Sequence, residues 1–106
     1  MGSEDTFSSL ADRFIQKPGV QKSRMFGFDS LTVKGKTFTL LDGESMVFKL
    51  GGEALEEALA HEGAARWNPF GHEKKEWVQV PAVYAEKWEV MAESALAYVE
   101  SLIIAP

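Results

Sequence analysis

Apolar residues recur at every second position through Leu31 to Val33, Phe38 to Leu40 and Met46 to Leu50, the period that sets side chains on one face of a strand. The alternation predicts a β-meander between Arg24 and Leu50, around which the rest of the chain is organised. Taken as a two-residue loop with glycine first, Gly35-Lys36 opposes Val33 with Phe38 and Leu31 with Leu40. A two-residue Asp42-Gly43 loop would set Leu40 against Ser45 and leave Met46 and Phe48 on the wrong face. A three-residue loop, Asp42-Gly43-Glu44, is therefore expected, opposing Leu40 with Met46 and Phe38 with Phe48.

Helical spacing brackets this region. Phe7, Leu10, Ala11, Phe14 and Ile15 predict an amphipathic helix from about Glu4 to Gln16, ended by Pro18-Gly19. Val20 to Phe26 reads as a first strand, with a bend at Gly27. Leu55, Ala58 and Leu59 define a short middle helix, and Glu76 to Val80 alternates again as a last strand closed by Pro81. From Tyr84 to Ile103 one apolar stripe, including Trp88, Ala92, Leu96 and Val99, predicts a long C-terminal helix. The expected fold is α+β. An antiparallel sheet of about four to five strands, with a central three-strand meander, is covered by the N-terminal, middle and C-terminal helices.

With 106 residues, 45% of them hydrophobic, residues 1–106 are expected to form a single domain with a modest core. The absence of cysteine removes disulfides and thiolate chemistry. The N-terminus lacks the basic start and apolar stretch of a signal peptide, so a cytoplasmic location without membrane association is expected. The net charge of −5 is unevenly spread. Residues 16–50 carry six basic groups against three acids, whereas residues 51–106 carry ten glutamates against four basic groups. Basic groups divided between the faces and edges of a meander imply weak, salt-sensitive nucleic-acid binding at most.

Catalytic motifs are sparse. Gly35-Lys36-Thr37 matches the end of a phosphate-binding loop, but Ser30 stands where that pattern needs glycine, and the segment leads into a strand. His61-Glu62 and His72-Glu73 offer metal-type ligands without the spacing that sets two on one helical face. No nucleophile elbow surrounds any serine. The expectation is a chain without enzymatic activity, cofactor or metal. What remains is aromatic. Trp67, Phe70 and Trp77, in and beside an irregular segment from Ala64 to Lys75, together with His72, Lys34 and Lys36, form the candidate partner surface, since exposed aromatics are enriched at contacts. For the three aromatics the favoured reading is a plug over the sheet edge that belongs to the core, because three aromatics left exposed on so small a domain would invite aggregation.

The order of elements, with Arg24-Met25-Phe26-Gly27, Gly35-Lys36-Thr37-Phe38, Val47-Phe48-Lys49-Leu50, Trp67-Asn68-Pro69 and Glu76-Trp77-Val78-Gln79-Val80-Pro81, resembles the TfoX N-terminal domain-like proteins. The YjbR/MmcQ-like group is the next closest. The resemblance implies a small bacterial α+β domain in a regulatory setting, with no catalytic residues to carry over. The reading of the residues is a non-enzymatic domain that binds a protein partner; the alternatives are a nucleic-acid-binding accessory factor using the basic meander, and a small-molecule binder or enzyme with its pocket between the Trp67 loop and the sheet.

Overall fold

Glycine-bearing two-residue turns lay down the first four strands as consecutive antiparallel hairpins: β1 (Val20–Met25), β2 (Phe28–Val33), β3 (Lys36–Asp42) and β4 (Ser45–Lys49). The computed structural model describes residues 2–71 and 73–104. Two later strands complete the sheet. β6 (Trp77–Val80) pairs antiparallel with β4, and the short β5 (Ala65–Arg66) pairs with β6, giving the order β1-β2-β3-β4-β6-β5. The sheet thus has six strands where four to five were expected, because Ala65 and Arg66 add an outer edge that no alternation announces.

The turns depart from expectation, and the departures decide which side chains share a face. The β2–β3 loop is Lys34-Gly35, not Gly35-Lys36, with both residues at positive φ (50° and 83°), the backbone of a type I′ turn. Val33 consequently pairs with Lys36 and Thr32 with Thr37. A bulge follows: Leu31 pairs with Thr39 and Ser30 with Leu40, so Phe38 is the extra residue without a partner on β2. The second loop is Gly43-Glu44, in place of the expected three-residue loop. It pairs Leu41 with Met46, Leu40 with Val47 and Thr39 with Phe48. Neither Val33–Phe38, Leu31–Leu40, Leu40–Met46 nor Phe38–Phe48 is a facing pair.

The main core lies between the sheet and the helices. α1 (Ser3–Phe14) contributes Phe7, Leu10, Ala11 and Phe14. α2 (Gly52–Leu59) contributes Leu55 and Ala58, and α3 (Trp88–Ile104) contributes Trp88, Ala92, Ala95, Leu96 and Val99. They meet Leu31, Val33, Phe38, Leu41, Met46, Phe48, Val78 and Val80 from the sheet. Burying each large apolar side chain contributes about 1.5–3 kcal/mol. Phe38 packs on Phe14 with ring centroids 6.1 Å apart, so the bulge aims it at α1. The C-terminal helix starts at Trp88; its expected first turn, residues 84–87, lies instead in a 3₁₀ segment, Ala82–Lys87. Among the described residues no helix is long and apolar enough to cross a membrane.

Candidate interaction surface

The sheet face turned away from the helices carries its own small core of Leu40, Val47 and Trp67, with Met25, Phe28 and Trp77 packed against it. Leu40 belongs here because Thr39 occupies the helix-side position opposite Phe48. Thr39 is fully buried, and its hydroxyl donates to the Val47 carbonyl at 2.7 Å, which removes the cost of burying a polar group.

Trp67 is the lid of this second core. Its amide donates to the Trp77 carbonyl at 2.8 Å, and its own carbonyl accepts from the Lys74 amide at 2.8 Å. The side chain reaches back across the sheet, where the indole N–H donates to Asp42 Oδ2 at 2.9 Å. Its ring meets Phe28 and Trp77, each at a centroid distance of 5.7 Å. With 1% exposure, Trp67 is a plug and not a free contact residue. Trp77 is half-buried beside it, with Lys49 Nζ 5.7 Å from its ring centroid.

Phe70 stands apart from this plug. It is 73% exposed and packs edge-to-face on Phe26, itself 63% exposed, with ring centroids 5.7 Å apart. Both phenylalanines have left-handed backbone, φ 52° at Phe26 and 57° at Phe70, and each precedes a glycine also at positive φ. A bulky residue in this region is strained by about 1–2 kcal/mol. Phe26-Gly27 forms the two-residue turn between β1 and β2, where a strand was expected to run on through Phe26. Arg24 ties that turn down: one guanidinium nitrogen donates to Asp29 Oδ1 at 2.9 Å and another to the Gly27 carbonyl. The sequence offered one signal for Phe26. Its X-Gly dipeptide repeats that of Lys34-Gly35 and Phe70-Gly71, but phenylalanine is so seldom the first residue of such a turn that strand propensity outweighed it.

The remaining sequence candidates do not join this pair. Lys34 occupies the β2–β3 turn at φ 50°. Lys36 borders a hollow shared with Lys49, Trp77 and the last turns of α3. His72 lies outside the described residues. His61 sits at the end of α2, its Nδ1 donating to the carbonyls of Glu57 and Ala58 at 3.0 and 3.2 Å, which leaves Nε2 as an acceptor 3.4 Å from Lys87 Nζ. Among the described residues no cluster of three or more histidines and carboxylates is placed to hold a metal ion.

Comparison with known proteins returns one family. The model of the YjbR family matches residues 15–99, a span that runs from the end of α1 through most of α3. This is the group placed second by sequence resemblance; the TfoX N-terminal domain-like assignment is not supported. The glycine turns and alternating aromatics that carried that likeness are what any four-strand meander of this length requires, and so they do not separate the two groups. No curated protein and no solved structure matches the chain.

Proposed function

The chain belongs to the YjbR family, and on that footing we propose that it acts by binding a protein partner, in place of catalysis, through the Phe26–Phe70 pair. The observation that carries this reading is the coincidence of strain and exposure at two positions. Left-handed backbone at a phenylalanine costs stability, and neither ring recovers the cost in the core. Glycine at either position would relieve the strain, so the aromatic rings are explained by contact with something else. Two rigid rings buried together in a partner's pocket supply large apolar area at small entropic cost, the character of a binding hot spot. The neighbouring Arg24 and Asp29 form a polar rim, as such surfaces carry.

The reading is tested with a Phe26→Gly, Phe70→Gly double variant, immobilised beside the parent at equal density and exposed to lysate. A protein retained by the parent and lost by the variant, while the variant melts no lower than the parent because glycine relieves the strain, is the expected result. The same proteins retained by both would overturn the reading.

A further inference from the structure

At the end of the sheet where α3 finishes there is a hollow of about 370 Å3, lined among others by Lys36, Lys49, Trp77, Val99, Leu102 and Ile103. Its chemistry is one-sided. Among the described residues no acidic side chain lines it, although the whole chain carries a net charge of −5. Neither lysine takes part in an ion pair among the described residues, where the three ion pairs use Arg13, Lys22 and Arg24. Glu76, next to Trp77 in the chain, accepts a hydrogen bond from the Tyr98 hydroxyl. Lys49 Nζ rests over the Trp77 ring, 5.7 Å from its centroid. The opposite wall is apolar, and Leu102 is 47% exposed there.

The geometry points to a binding site for a small carboxylic acid with an apolar body. The carboxylate is held by the Lys36 and Lys49 ammonium groups, and the body lies against Trp77 and the Val99, Leu102 and Ile103 side chains. Two cations with no acidic side chain among the described lining residues favour an anion over any neutral molecule of the same shape. The hollow is at the small end of the range for ligand pockets, about 300–1,000 Å3, which suits a one- or two-ring acid. This site is separate from the Phe26–Phe70 pair and does not depend on the protein-partner reading.

The test is a titration of the isotopically labelled protein with sodium 1-naphthoate, followed through backbone and indole N–H resonances. Two comparison probes are 1-naphthylmethanol, the same body without charge, and sodium acetate, the charge without the body. Naphthoate should shift the Trp77 indole and the amides of residues 36, 37, 49 and 99–103, and neither comparison probe should do so at the same concentration. Lys36→Gln, at an exposed position, should weaken naphthoate binding about tenfold, the scale of one charge-assisted hydrogen bond, and Leu102→Asn should weaken it too without unfolding the chain. Equal shifts with naphthylmethanol, shifts centred instead on the hollow between α2 and α3 that Ala54, His61, Val90 and Met91 line, or no shift at millimolar naphthoate would each overturn the proposal.

Discussion

Trp67 and Asp42 are 25 residues apart in sequence, yet the indole N–H of the first donates to Oδ2 of the second at 2.9 Å, across the sheet face that no helix covers. This bond fixes the ring that closes the second core. Asp42→Ala should cost about 1–3 kcal/mol, because it leaves a buried indole N–H without an acceptor. Asp42→Asn retains an acceptor and should cost less. Denaturant midpoints of the two variants check the ordering, and an alanine variant as stable as the parent would remove the lid role of Trp67.

Phe38 and Phe48 are both fully buried, and alanine at either should cost about 3–5 kcal/mol through the cavity left behind. Their partners differ. Phe38 packs on Phe14 of α1, whereas Phe48 is paired with Thr39 on one side and Val78 on the other. A double-mutant cycle should therefore give a coupling of about 0.5–1.5 kcal/mol between Phe14 and Phe38. A stronger coupling between Phe38 and Phe48 would restore the register that alternation alone implies.

That register shows where the sequence was legible. The apolar stripes of α1 and α3 gave both helices to within a few residues, since a wide stripe survives errors at its ends. The helix-side set Leu31, Val33, Phe38, Met46, Phe48 and Leu50 was also readable. Leu40 was not. Counting by twos carried it to the same face as Phe38, because nothing in Lys36 to Leu41 marks the bulge, and because Thr39 looks like an outward residue until its hydrogen bond to the Val47 carbonyl is seen. Of the candidate surface, the aromatic character was legible and the division of labour was not. Trp67 became a plug because Asp42, distant in sequence, accepts its N–H. Phe26 was missed because its conformation is set by the β1–β2 pairing and by Arg24, and not by its own preference.

The Tyr98 hydroxyl donates a hydrogen bond to Glu76 Oε2. That bond, with burial and the negative charge of Glu76, raises the phenol above its ordinary value of 10.0. A group whose pKa is raised on folding keeps its stabilising contribution below the unfolded value and loses it as pH climbs through the folded one. The parent should thus lose stability relative to Tyr98→Phe as pH rises above about 10, and at pH 7 the variant should be weaker by about 0.5–1.5 kcal/mol. Denaturant melts of both proteins from neutral to alkaline pH check this, with parallel curves as the contrary result.

Nucleic-acid binding should be weak. Lys22 and Arg24, two of the basic groups on the meander, are paired with Asp12 and Asp29 at 2.8 and 2.9 Å, so fewer cations are free to meet phosphates. Fluorescence anisotropy with a labelled duplex and a labelled single strand should show no submicromolar binding at about 200 mM salt. Tight binding there, lost in a Lys34→Glu, Lys36→Glu variant, would favour a nucleic-acid partner over the proposed protein one.

The contact role of the Phe26–Phe70 pair is tested most directly by placing a photo-crosslinking phenylalanine analogue at position 26 or 70, and at position 83 as a control. Val83 is 76% exposed and belongs to the 3₁₀ segment before α3. Irradiation in cells should join the same protein covalently to the chain from positions 26 and 70 and not from 83. Adducts of equal yield from all three positions, or none from 26 and 70, would contradict the account.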